Sequence, residues 1–153
     1  MTTIAWSGTQ LAADSLQGST DYICSKPAVK LREKGARVYA ITGFFSWFDA
    51  WIKWYEDGAD PKDTPICKYN DPPGEFLVFE DGRCFMFSTQ LPYPDEQFAP
   101  DAFGSGSKYA IGAMLHGATA KEAVECAIIV DPGSGGPVQV IDLESLKAKA
   151  EAA

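Results

Sequence analysis

The sequence predicts an α+β fold in which sheets pack together and helices lie outside. Three observations carry that prediction. Strand-like runs stand at both ends of the chain, each half supplies a pair of helices, and Asp81-Gly82 joins two apolar runs in the middle.

Taken in order, Thr3 to Trp6 and Gln10 to Ala13 are β-prone runs around Ser7-Gly8-Thr9, the pattern of a hairpin. Arg37 to Thr42 is a further strand candidate, ended by Gly43. The period then changes. Phe44, Trp47, Phe48, Trp51, Trp54 and Tyr55 form one aromatic face of a helix ending near Gly58, suited to packing on a sheet or, alternatively, to boxing a ligand. Residues 58–74 are rich in Asp, Pro and Lys and read as a loop. Glu75 to Glu80 and Arg83 to Ser88 form the clearest hairpin, because Asp81-Gly82 suits a type I′ turn. Residues 89–101, with Pro92, Pro94 and Pro100, read as irregular. Gly104-Ser105-Gly106-Ser107 opens a helix of small residues that reaches about His116, a solvated helix end. Thr119 and Glu122 form a capping box for a helix with apolar positions Ala120, Ala123, Val124, Ala127 and Ile128. Asp131 to Gly136 breaks it, and Val138 to Ile141 is a strand. Residues 1–142 are expected to form one domain, and 143–153 a C-terminal helix or tail.

The 153-residue chain is 46% hydrophobic, enough for a core, and carries a formal net charge of −8. No Lys/Arg cluster is dense enough to follow phosphates, which argues against nucleic acid as partner. Cys24, Cys67, Cys84 and Cys126 are widely spaced and have no neighbouring histidine, so no metal site and no cofactor is expected. Gly104-Ser105-Gly106-Ser107-Lys108 lacks the spacing of a nucleotide-binding loop. No apolar run approaches the roughly 20 residues of a membrane span, and no signal sequence follows Met1; a soluble, cytoplasmic protein is expected.

The chemistry concentrates at the start. Removing Met1 would leave Thr2 as a hydroxyl nucleophile that carries its own free α-amine. That amine, with an ordinary pKa of roughly 7.7–8.0, can serve as general base without a histidine. Asp14 ends the second strand, Lys30 precedes the next one, and two Gly/Ser turns follow in the second half. From the residues alone, Asp14 and Lys30 also suit a simple ion pair between strands, and Ser105 a helix N-cap.

Together these positions resemble the proteasome-type N-terminal-nucleophile hydrolases, among them proteasome β subunits and bacterial HslV, from Thr2 to about Asp142. The resemblance implies a four-layer αββα sandwich of two antiparallel sheets flanked by helices. It places Thr2 on the nucleophile of the opening Thr-Thr-Ile motif, Asp14 on the second-strand aspartate and Lys30 on the active-site lysine. Ser105 falls on the serine that supports the terminal amine. Asp131 and Ser134, within Asp131-Pro132-Gly133-Ser134-Gly135-Gly136, match the family's Asp-x-x-Ser-Gly-Gly turn. It further implies a peptide or protein substrate, a homo-oligomeric ring that hides the active sites, and an ATP-dependent unfoldase as a partner.

The chain departs from the family before its first long helix, where a small residue supplies the oxyanion-hole N–H. Counting back from Asp49 puts Phe45 there, and Gly43 serves only if the turn is two residues longer. The rings of Phe44, Phe45 and Trp47 would crowd a specificity pocket. Activation is expected to depend on ordinary methionine removal, since a retained Met1 blocks the amine and fills the carbonyl site. The expected function is a threonine-type amide or peptide hydrolase. The alternative is a catalytically inactive structural or assembly protein of the same fold, for example in a bacterial virus particle, which would make it virion-associated.

Overall fold

Short apolar runs with β-branched and aromatic residues pair locally into antiparallel hairpins, and these assemble into two sheets. The computed structural model describes residues 1–18, 21–65, 74–88 and 91–153. The strands are Thr3–Trp6 (β1), Gln10–Ala13 (β2), Gln17–Gly18 (β3), Ile23–Ser25 (β4), Leu31–Lys34 (β5), Arg37–Ile41 (β6), Glu75–Glu80 (β7), Arg83–Ser88 (β8), Leu91–Gln97 (β9), Asp101–Gly104 (β10) and Gln139–Asp142 (β11). The α-helices are Phe48–Glu56 (α1), Ser107–Leu115 (α2), Ala120–Val130 (α3) and Leu143–Glu151 (α4).

One sheet runs β10-β1-β2-β11 and the other β5-β6-β7-β8-β9, while β3 and β4 form a separate small hairpin. All pairings are antiparallel; Ile4 lies opposite Ala13, and Val38 opposite Phe79. Strand alternation assigns the faces. Ile4, Trp6 and Leu11 of the first sheet meet Val38, Leu77 and Phe79 of the second in a shared core. On its other face the first sheet presents Ala5 and Ala12 to Ala110, Ala123, Val124 and Ala127 of α2 and α3. Alanine on both sides lets the helices approach closely. The outer face of the second sheet carries Tyr39, Ile41, Phe76 and Phe87, covered by Phe48, Trp51 and Trp54 of α1. The layers are therefore α2/α3, sheet, sheet, α1, an αββα sandwich.

The aromatic stripe packs on a sheet. Its first ring does not join the helix: Phe44 is extended at φ −75°, ψ 113°, a 3₁₀ turn covers Phe45–Trp47, and α1 begins at Phe48. Among the described residues α1 is the one α-helix of the first half of the chain, where a pair was expected, and it covers the second sheet. The capping box forms as written, Thr119 Oγ1 accepting from the Glu122 N–H at 3.1 Å and Glu122 from the Thr119 N–H at 2.9 Å. At the Asp81-Gly82 turn both residues take positive φ, 50° and 73°, as type I′ requires.

Part of the irregular 89–101 stretch is strand β9. It lies at the edge of its sheet, so only one side must donate to a neighbour. Pro92 and Pro94 are two residues apart, and their missing N–H groups fall on the same side of the strand. Leu143 and Leu146 pack against the inter-sheet core, so residues 143–151 are a docked helix. The structure of 66–73, including Cys67, lies outside the described residues. Among those described, no helix is long and apolar enough to cross a membrane.

Candidate active site

Thr2 and Thr3 enter β1 at the end of the sandwich where β10 turns into α2. Gly104 makes that turn possible. It adopts φ +91°, and a Cβ there would fall 2.0 Å from the Thr2 carbonyl oxygen. A Cβ on Gly106 would fall 1.9 Å from Thr3 Oγ1. The two glycines bring the backbone against β1, and the residue between them faces Thr2: Ser105 Oγ accepts from the Thr2 N–H at 3.3 Å. Gly106, not Ser105, is the N-cap of α2, and no side chain caps it. Ser105 Oγ instead donates to Asp131 Oδ2 at 2.7 Å.

Asp131 ends α3, whose last cap bond runs from its own N–H to the Ala127 carbonyl. Beyond it the chain turns sharply, and Ser134 Oγ donates back to Asp131 Oδ2 at 2.6 Å while the Gly133 N–H donates to Oδ1 at 3.2 Å. Burial pushes the Asp131 carboxyl up, but the bonds from Ser134, Ser105 and Gly133 outweigh it and hold the group below its ordinary 3.8. Ser134 Oγ also bonds Thr3 Oγ1 at 2.5 Å. Thr3, absent from the expected set, is thus part of the network; the Thr2-Thr3 doublet was its only signal in the sequence.

Asp14 and Lys30 join the two sheets. Asp14 follows β2, Lys30 precedes β5, and Lys30 Nζ lies 2.8 Å from Asp14 Oδ1 with side chains 2% and 0% exposed. The remaining Asp14 lone pairs are filled by backbone donors: Thr3 N–H at 2.9 Å on Oδ1, Leu16 N–H at 3.2 Å and Gly135 N–H at 3.0 Å on Oδ2. The Gly135 contact ties the Asp131 turn to the pair. Burial lowers the Lys30 pKa from 10.5, against the opposing pull of Asp14 and, more weakly, Asp131.

Met1 occupies the point where these elements converge. Its carbonyl oxygen accepts from Thr2 Oγ1 at 2.7 Å and from Lys30 Nζ at 3.2 Å. Beside it opens a cleft of about 370 Å³ lined by Lys30, Gly43, Phe44 and Phe45. Both candidate oxyanion donors, Gly43 and Phe45, therefore border the same space as Thr2. The N–H groups of Gly43 and Phe45 have no acceptor among the described residues. Phe45 is held by the Arg32 guanidinium, which lies 5.5 Å from its ring and 4.3 Å from that of Phe48. His116 caps the far end of α2, distant in the fold from this cluster.

The structure thus brings Thr2, Asp14, Lys30, Ser105, Asp131 and Ser134 into one hydrogen-bonded group. Among the described residues no group of three or more His, Cys, Asp or Glu is arranged to hold a metal ion.

By sequence, no family model matches the chain and no curated protein matches it. By structure, the chain is similar to BPH from Thiobacillus denitrificans, with TM-score 0.64 and 21% identity over 93% of this chain and 97% of that one. BPH in complex with epoxomicin matches with TM-score 0.64 and 22% identity over 93% and 98% of the two chains. HslV from Trypanosoma brucei matches with TM-score 0.66 and 15% identity over 92% and 98%. The chain has the proteasome/HslV-type fold.

Proposed function

We propose that the chain is a threonine-type amide hydrolase whose nucleophile is Thr2 after Met1 has left. One observation carries the reading: a single carbonyl oxygen, that of Met1, accepts at once from Thr2 Oγ1 and from Lys30 Nζ. A substrate carbonyl in that place meets the nucleophile and the buried cation together.

The reaction follows from those positions. The freed Thr2 amine, or a water it holds, takes the hydroxyl proton, and Oγ1 attacks the carbonyl carbon. The carbonyl electron pair moves to oxygen, where the N–H of Gly43 or Phe45 can donate to it. Collapse breaks the C–N bond, the leaving amine takes the proton from Thr2, and an ester remains. Water, deprotonated by the same amine, hydrolyses the ester and regenerates the hydroxyl. Lys30 favours the alkoxide by its charge, Asp14 holds Lys30 in place, and Ser105, Asp131 and Ser134 orient the amine. The Phe44 and Phe45 rings narrow the acyl cleft, which suits compact acyl groups over bulky ones.

Assembly into a homo-oligomeric ring belongs to the same proposal. Leu115 on α2 and Ile129 on α3 are 71% and 85% exposed, apolar side chains on the helical layer that a second copy would cover.

Phenylalanine at the oxyanion turn favours a second reading, a non-catalytic assembly protein that keeps the fold. Kinetics separates the two. Protein prepared with Thr2 as its first residue should hydrolyse acyl-aminocoumarin amides, whereas Thr2→Ala and the Met1-bearing form should not. Equal rates from all three would overturn the hydrolase reading.

A further inference from the structure

Where β6 ends against β7, one ladder bond is made by a side chain. Beyond the Ile41–Phe76 pair, Thr42 and Glu75 stand opposite one another, and the Thr42 N–H donates to the Glu75 carbonyl at 2.8 Å. Regular antiparallel pairing would return the Glu75 N–H to the Thr42 carbonyl. It goes instead to Thr42 Oγ1, at 3.0 Å. The hydroxyl directs its own proton to Glu75 Oε2 at 3.4 Å, which leaves a lone pair for that N–H.

The Thr42 carbonyl, released from the ladder, turns towards Gly74, where a Cβ would fall 2.3 Å from its oxygen. The 42–43 peptide is trans, so the Gly43 N–H points the opposite way. That peptide divides two clefts. Thr42, Gly74 and Glu75 border one of about 400 Å³, whereas Gly43 borders the one that also meets Thr2 and Lys30. Gly43 takes φ +85°, a backbone conformation that suits glycine.

We propose that Thr42 is a positioning residue whose hydroxyl, with Gly74 seating its carbonyl, aims the Gly43 N–H at the oxyanion formed on Thr2. The inference rests on the hydrolase reading and gives Gly43 the donor role for which Phe45 also stood. An oxyanion donor must be held in direction before the reaction and left unpaired until charge develops. The Gly43 N–H meets both demands, for it has no acceptor among the described residues. Without the hydroxyl, the Glu75 N–H is left to recruit the carbonyl of residue 42. Rotating that peptide completes the ladder and turns the Gly43 N–H away from Thr2.

The test follows acylation of Thr2 by a β-lactone in Met1-free protein, read by intact mass against time and lactone concentration. Attack by Oγ1 breaks the ring C–O bond, and the ring oxygen takes the proton from the Thr2 amine. Thr42→Val keeps the shape of the side chain and removes the hydroxyl. Its limiting rate constant should fall about a hundredfold, the scale of one lost oxyanion donor, at an unchanged half-saturating concentration. Thr42→Ser should recover most of the rate, which a role in packing through the methyl would not give. Thr42→Ala should show the same loss should Thr42→Val fail to fold. Parent-like acylation of Thr42→Val, or a loss that Thr42→Ser does not recover, overturns this inference alone. A parent protein that is never acylated overturns the hydrolase reading and this inference with it.

Discussion

Lys30 Nζ lies 2.8 Å from Asp14 Oδ1, and the two side chains, each within 2% of full burial, pin one sheet of the sandwich to the other. Removing one member of a buried pair costs about 3–5 kcal/mol because the survivor is left uncompensated. The two members are not equivalent here. Asp14→Ala strands Lys30 and also three backbone N–H groups, those of Thr3, Leu16 and Gly135. Lys30→Met leaves Asp14 with all three donors. Urea unfolding should show Asp14→Ala as clearly the more damaging change; the reverse order would contradict the network described.

Lys30 also sets an alkaline signature. Burial lowers its folded pKa from 10.5, so between the folded value and 10.5 the unfolded chain binds more protons than the folded one. Stability contributed through Lys30 therefore rises with pH across that window, and the rise should be missing in Lys30→Met. Hydrolysis should move the other way, since the alkoxide loses its cation. Its alkaline limb is expected below pH 10.5, in a pH–rate profile of the Met1-free protein.

Asp131 gives the acidic counterpart. Despite burial, which acts upwards, the hydrogen bonds from Ser134, Ser105 and Gly133 hold its carboxyl below 3.8 in the folded chain. Its contribution to stability is complete above pH 3.8 and disappears as pH falls through the lower folded value. The stability gap between the parent and Asp131→Asn should be constant near neutrality and close below that point. A gap unchanged down to pH 2 would show that the carboxylate charge is irrelevant.

Glycine positions separate architecture from mere composition. Gly104→Ala meets the Thr2 carbonyl at 2.0 Å from a backbone with φ +91°, and should cost at least about 2 kcal/mol. Gly112 lies inside α2 with open space around it. Gly112→Ala should be stabilising by about 0.5–1 kcal/mol through helix propensity alone. Thermal melts of the two variants check both signs.

Much of this was legible in the sequence, for local reasons. The I′ turn at Asp81-Gly82, the Thr119 capping box and the apolar runs of β1 and β7 are specified by near neighbours. What stayed hidden was tertiary. Strand β5, Leu31-Arg32-Glu33-Lys34, buries only Leu31 and reads as a charged connector. Strand β9 is possible because its prolines lie on an edge, a position no local pattern reports. At the site, the resemblance to proteasome-type hydrolases brought out Thr2, Asp14, Lys30, Ser105, Asp131 and Ser134. It could not show that Gly104 and Gly106 are small because β1 passes against them, nor that Thr3 closes the network onto Ser134.

The most direct measurement of the central claim is the mass of the N-terminal peptide after treating Met1-free protein with epoxomicin or a β-lactone. The account predicts one stoichiometric adduct on Thr2, absent from Thr2→Ala and from protein that keeps Met1. An unmodified Thr2 in folded protein with a free amine, or an adduct that persists in Thr2→Ala, would contradict it.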